Sequence, residues 1–167
     1  MLEMKGLIKQ IDGLNAFFGK LAAWSSILLV FLVCVDVILR YFFNWSRVWM
    51  MELELYLFAI IFLLGGAYAF QKDQHVRVDV FYTNMSEKNK AIVNLIGGIF
   101  LLLPWCIIIL YISQRFFLKS WRIGESSGQP GGLPMLYVKK GLLFVGFFLL
   151  FLQGLSSIYK ASKQLKE

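Results

Sequence analysis

Four long apolar blocks divide this chain, and they limit its possible folds more than any other feature. Each block approaches or exceeds the roughly 20 apolar residues that a helix needs to cross the hydrocarbon core of a bilayer. The whole sequence is 59% hydrophobic and only 16% charged, whereas soluble domains are about one quarter charged. The sequence therefore predicts an all-α integral membrane protein with four transmembrane helices.

The predicted spans cover residues 17–43, 48–70, 91–112 and 136–159, each to within a few residues, and form a single four-helix membrane domain over residues 1–167. Ahead of the first span, apolar side chains recur at helical spacing, namely at Leu7, Ile11, Leu14, Phe18 and Leu21. Charged residues, Asp12 among them, fall off that stripe. The pattern predicts an amphipathic N-terminal helix, which either lies in the membrane interface or extends the first span.

The distribution of Lys and Arg predicts the orientation of the spans. Ten of the 17 basic residues lie in the N-terminal stretch, the loop between the second and third spans and the C-terminal tail. Because basic residues are enriched in cytoplasmic segments, both termini are expected in the cytoplasm. The loop before the fourth span is also basic, through Arg115, Lys119, Arg122, Lys139 and Lys140. That group is either a snorkelling collar or a docking surface.

Several classes of function are disfavoured by the sequence. The net charge of +7 does not indicate nucleic-acid binding, because the basic residues flank apolar blocks. Cys34 and Cys106 lie within those blocks as small hydrophobes, and their spacing fits no disulfide, metal or haem attachment. His75 is the one histidine in the sequence and has no adjacent nucleophile or metal-ligand cluster. We therefore expect no enzyme activity, metal or cofactor in this chain.

Charged residues near the predicted outer membrane surface are the candidates for a structural or subunit-interface role. Asp36 and Arg40 are one helical turn apart, so we favour a self-neutralising ion pair that helps helix assembly over an ion pathway. The second span opens with an aromatic and charged group, namely Trp45, Arg47, Trp49, Glu52, Glu54 and Tyr56. Two residues apart, Glu52 and Glu54 point to different faces, and one of them needs a partner, for which Arg40 or Arg47 is a candidate. We predict no buried polar cluster able to coordinate a substrate.

Individual glycine, proline and serine residues refine the prediction of how the helices pack, bend and begin. Gly65 and Gly66 begin a small-residue patch in the second span, and small pairs also occur at Gly97–Gly98 and at Gly141 and Gly146. Such residues let transmembrane helices approach closely. Pro104 lies within the third span and is expected to kink that helix. Ser86 is a candidate N-cap for the same helix.

Taken in order, these motifs resemble the small membrane subunit, of DctQ type, of a tripartite ATP-independent periplasmic (TRAP) transporter. The resemblance rests on Arg40-Tyr41-Phe42 and Trp49-x-x-Glu52, on Leu64-Gly65-Gly66-Ala67-Tyr68-Ala69, and on His75-Val76-Arg77-Val78-Asp79 in the inner loop. Gly132-Leu133-Pro134 before the last span and Gly146-Phe147 within it complete the set. It covers nearly the whole chain.

The resemblance implies a role and partners. It implies a subunit of the bacterial inner membrane that braces a large membrane subunit, which holds the substrate and sodium sites. A periplasmic binding protein would deliver an organic acid, of the sialic acid or C4-dicarboxylate class, to the pair. Arg115, Lys119 and Arg122 then become candidates for its docking surface. Membrane lipids would be the remaining partner.

Two other functions compete with this interpretation. A stand-alone four-helix exporter would need a carboxylate in its first span, and Asp36 is the one analogue, with Arg40 beside it. A membrane enzyme or redox anchor is disfavoured by the single histidine and by the lack of a nucleophile–base pair.

Overall fold

The structure, a computed structural model, describes residues 2–72, 82 and 85–165, with side chains from residue 6 onward. It contains four long helices: α1 (Leu2–Phe43), α2 (Val48–Gln71), α3 (Glu87–Arg122) and α4 (Leu136–Gln164). Each is long and apolar enough to cross a membrane, so the prediction of four spanning helices is confirmed. The start of α1 and the end of α4 lie at one end of the bundle, here called the terminal end. The α1–α2 and α3–α4 connections lie at the other, the loop end.

The predicted amphipathic segment is the first part of α1, which is continuous over 42 residues. At 1.5 Å per residue the helix is roughly 63 Å long, more than the full thickness of a bilayer. Of the two arrangements expected, the segment therefore extends the first span. Its apolar stripe is divided, with Leu7 and Leu14 exposed and Phe18 packed against the buried core. Asn15, Gly19 and Ala22 are buried in the bundle.

Helix α4 is the central element, because it packs against each of the other three helices. Leu64 and Ala67 of α2 and Leu149 of α4 form the buried core. Glycines set the closest helix contacts. A Cβ atom at Gly146 of α4 would lie 2.8 Å from the carbonyl oxygen of Leu63 on α2, so only glycine allows this approach. The expected small-residue packing is thus present between α2 and α4.

The small residues of α2 have different surroundings. Gly65 faces α1, where an added Cβ atom would lie 3.6 Å from the Cβ of Ala22. A Cβ atom at Gly66 would meet open space. Gly65 therefore packs within the chain, whereas Gly66 leaves room for lipid or for another protein.

A π-helical turn at Gly98–Leu102 precedes Pro104 in α3, and the expected kink stays a prediction. The Leu103 N–H donates to the Gly98 carbonyl, five residues back. Proline lacks an N–H and crowds the preceding turn, and a π turn re-forms the backbone hydrogen bonds around it. At the start of α3, Ser86 Oγ accepts from the Asn89 N–H at 3.4 Å, which confirms the predicted N-cap.

The close α2–α4 contact gives a direct test. Gly146→Ala places a methyl group against the α2 backbone, so we expect it to lower the free energy of unfolding in detergent by about 1–3 kcal/mol. Gly97→Ala is the matched control, since a Cβ atom there meets nothing within 4 Å. Equal stability of the two variants, measured by the denaturant dependence of circular dichroism, would contradict this packing.

Candidate partner-binding site

The α3–α4 loop, residues 123–135, is held at the loop end by one carboxylate. Glu52 of α2 accepts from the Leu133 N–H at 2.5 Å and from the Ser127 hydroxyl. Gly132 permits this contact, because a Cβ atom there would lie 2.9 Å from Glu52 Oε1. Glu52 therefore bridges two helices through a loop. Arg40 and Arg47, the candidate partners for one of the two carboxylates, do not bond Glu52 in the described structure, and the charge of Arg40 acts on Glu54 instead.

Further contacts fix the end of the same loop. The Tyr56 hydroxyl donates to the Met135 carbonyl at 2.9 Å, and Met135 adopts a left-handed conformation with φ of 84°. This conformation is costly for a long side chain and persists where its surroundings impose it. The loop-end anchor, as we name the group of Glu52, Tyr56 and their loop partners, thus holds a strained backbone.

An ion pair ties the start of the loop to α4. Lys140 donates to Glu125, and this hydrogen bond lowers the pKa of the Glu125 carboxyl below its ordinary value of 4.5. A lowered pKa in the folded state means that the charged form is the stabilising one. The stability that the Glu125–Lys140 ion pair contributes is therefore fully present above the ordinary carboxyl pKa. It is lost as the pH falls through the lowered pKa of Glu125.

Three exposed cations lie on α3 beside this loop. Arg115, Lys119 and Arg122 are spaced by four and three residues, so they share one face of the helix. They line a depression of about 340 Å³ together with Leu118 and Ile123. Within the described part of the chain, none of the three forms an ion pair. This basic patch is available to an anionic partner.

Asp36 and Arg40 form the ion pair that their spacing predicts. The Asp36 carboxylate is buried, and Glu54 lies close enough for the charges of Asp36 and Arg40 to act on it. Asp36 Oδ1 and Glu54 Oε1 are buried without a hydrogen-bond partner among the residues that the structure describes. Arg47 instead lies over the Trp45 ring at 5.4 Å. Whether this group contacts another subunit stays a prediction.

A second polar group lies at the terminal end and was not predicted. Asp12 of α1 accepts from Lys160 at 2.7 Å, from Gln153 at 3.2 Å and from Ser156 at 3.3 Å, all on α4. The Asn15 amide donates to Gln153 at 2.6 Å. Asn15, Gln153 and Ser156 are each at most 2% exposed. This polar clasp is bonded mainly to itself, so the expectation that no buried polar cluster coordinates a substrate stays a prediction.

A sequence signal for the polar clasp existed. Asp12 and Asn15 are three residues apart on the polar side of α1, and Gln153, Ser156 and Lys160 recur at spacings of three and four on α4. In a membrane protein the polar side faces the bundle rather than solvent.

Three of the predicted site residues belong to the inner loop between α2 and α3. These residues, His75, Arg77 and Asp79, lie outside the described residues.

Comparison with known proteins places the chain in a family. The family model described as the DctQ component of tripartite ATP-independent periplasmic transporters matches residues 29–164. A protein of Haemophilus influenzae, assigned by its name to the TRAP transporter small permeases, is 33% identical over 106 residues. The match covers 64% of this chain and 66% of that protein, just under two thirds of its length.

The chain therefore belongs to the DctQ family of TRAP transporter small permease subunits, and the resemblance seen in its motifs is confirmed. The structure also shows why two of those motifs occur together. Trp49-x-x-Glu52 supplies the carboxylate of the loop-end anchor, and Gly132-Leu133-Pro134 supplies the N–H that it binds. Glu52 and Leu133, which belong to two motifs and are 81 residues apart in the sequence, thus form one contact.

Removal of this carboxylate is expected to loosen the α3–α4 loop. In Glu52→Gln the amide replaces a charged acceptor of two hydrogen bonds, so amide hydrogen exchange in residues 125–135 should accelerate at least about fivefold. Glu54→Gln is the matched control, because Glu54 has no bond to this loop in the described structure. Unchanged exchange in Glu52→Gln, measured by mass spectrometry, would show that the anchor does not hold the loop.

Proposed function

We propose that this small permease subunit braces the large membrane subunit of a TRAP transporter and offers a docking surface to the periplasmic binding protein. It is non-catalytic, needs no cofactor of its own and works in the bacterial inner membrane. Family membership supports the assembly with a large subunit. The predicted orientation, with both termini in the cytoplasm, puts the loop end on the periplasmic side, where a binding protein would arrive.

The anchored basic patch is the observation that carries the docking proposal. Docking surfaces need a fixed shape, because the ordering of a flexible loop on binding costs free energy. The loop-end anchor fixes the α3–α4 loop on α2, and Arg115, Lys119 and Arg122 lie beside that loop. An acidic face on a binding protein would be attracted to this patch, with a gain mainly in the rate of association.

The transported substrate follows from the family and not from this chain. We propose sodium-coupled uptake of an organic acid of the sialic acid or C4-dicarboxylate class, with the coupling sodium bound in the large subunit. The stand-alone exporter is less well supported. Its mechanism needs a carboxylate free to bind cations, whereas Asp36 is ion-paired with Arg40 on the same helix.

Co-purification tests the assembly. The tagged chain, extracted from its native membrane in a mild detergent, should bring down a much larger polytopic protein identified by mass spectrometry as a TRAP large subunit. Recovery of the chain without that partner, under conditions that preserve its own fold, would contradict the proposal.

Charge reversal tests the docking surface. Arg115→Glu with Arg122→Glu should reduce binding-protein-dependent uptake by about tenfold or more, because like charges across an interface repel the partner. Assembly with the large subunit should be unchanged in the same preparation. Lys9→Glu, an exposed reversal at the terminal end, is the control. Normal uptake by the double variant would remove the basic patch from the docking surface.

A further inference from the structure

Two acidic side chains are placed inside the bundle near the loop end, one on α1 and one on α2. Asp36 is 2% exposed on α1, which packs mainly against α2. On α2, Met50 and Leu57 lie one helical turn to either side of Glu54, and both are buried. Glu54 therefore belongs to the face of α2 that packs within the protein.

The register of the two helices brings these side chains to the same height. A Cβ atom at Gly65 of α2 would lie 3.6 Å from the Cβ of Ala22 on α1, so these two residues are opposite each other. The helices run in opposite directions, so Asp36, which follows Ala22 by 14 residues, lies opposite Met51. Glu54 is three residues from Met51, which is about 4.5 Å along the helix axis. The two carboxyl groups are therefore within one helical turn of each other.

Each of the two carboxyl groups has one buried oxygen that lacks a donor. Asp36 Oδ2 accepts from Arg40 on the same helix, whereas Asp36 Oδ1 has no hydrogen-bond partner among the described residues. Glu54 Oε1 has none there either. A buried acceptor without a donor loses its hydration and gains nothing in return. Both oxygens have almost no accessible surface, so a donor on another protein or on a lipid cannot reach them.

The charges around this group do not balance. Helix α4 also packs against α2 and brings three titratable side chains to the loop end, Tyr137, Lys139 and Lys140. Lys139 lies over a tyrosine ring, and Lys140 is paired with a loop carboxylate. The charges that act on Glu54 are those of Asp36 and Arg40. Two carboxyl groups therefore face one guanidinium.

A single proton would satisfy both oxygens. Two neighbouring carboxyl groups away from water do not both stay ionised, and one of them keeps a proton. We propose that Asp36 and Glu54 share one proton at neutral pH, with the O–H of Glu54 donating to Asp36 Oδ1. The charge stays on Asp36, because the Arg40 guanidinium stabilises the ionised form of that carboxyl group.

The shared proton joins α1 to α2 at the loop end, as the polar clasp joins α1 to α4 at the terminal end. Its two oxygens are closed off from solvent, so the proton is held in place and has a structural role. This inference does not rest on the proposed part of the chain in transport.

Infrared spectroscopy of the full chain tests the proposal, because a protonated carboxyl group has a carbonyl stretching band apart from the bands of a carboxylate. The protein is measured at neutral pH in a detergent that has no carbonyl group, such as an alkyl maltoside. We expect a band that corresponds to about one carboxyl group per chain. The band should shift when exchangeable hydrogens are replaced by deuterium.

Isotope labels assign the band without any substitution. In protein made by cell-free synthesis, carbon-13 in the side-chain carboxyl group of glutamate should shift the band. The same label in aspartate should leave it in place.

One substitution should remove the band. Glu54→Gln leaves Asp36 ionised and paired with Arg40, so the band should be lost completely. Glu52→Gln is the matched control and should keep the band, because Glu52 accepts two hydrogen bonds from the α3–α4 loop as a carboxylate. Circular dichroism checks that both variants are folded.

Three results would overturn the proposal. Absence of the band from the folded parent protein would show that both carboxyl groups are ionised. A band that survives in folded Glu54→Gln would place the proton elsewhere in the chain. A shift with labelled aspartate, and none with labelled glutamate, would show that Glu54 does not carry the proton.

Discussion

The contact between α2 and α4 is the interaction on which the rest of the structure depends. In its middle, Gly146 lets the α2 backbone approach α4 at a distance that no other residue allows. At the loop end, Glu52 of α2 holds the loop that leads into α4. Helices α1 and α3 pack against this pair. Helix α1 is joined to it at the terminal end, where the Gln71 amide of α2 donates to the Asp12 carbonyl at 3.0 Å.

The bundle has few other means of cohesion. Apolar side chains gain little from burial when the alternative is lipid, so close packing and polar contacts carry the association of membrane helices. The glycines at the helix crossings allow the close packing. The polar clasp and the loop-end anchor supply the polar contacts. All four helices keep long exposed apolar surfaces outside these contacts.

The sequence predicts the elements of this fold better than their contacts. Hydropathy and capping are local properties, so the four spans and the Ser86 cap could be predicted. The π-helical turn before Pro104 was not predicted. The Asp36–Arg40 ion pair could also be predicted, because both residues lie one turn apart on one helix. The partners of Glu52 could not be predicted, since they follow 75 and 81 residues later and include a backbone N–H. The polar clasp was missed for a different reason, because Asp12 was interpreted only as part of the charged side of an amphipathic helix.

The two ends of the bundle differ in ways that suit a bracing subunit. The loop end has a fixed loop and a basic patch, which we assign to docking. The terminal end has the polar clasp, which ties α1 to α4. In this account the chain shapes and supports a transport path that lies in another subunit.

Sodium-driven uptake in proteoliposomes tests that central claim most directly. Vesicles with this chain, its large subunit and the binding protein should accumulate the labelled organic acid under an inward sodium gradient. Vesicles with this chain alone should accumulate none, and those that lack only this chain should lose most of the uptake. Uptake by the isolated chain, or full uptake in its absence, would contradict the account.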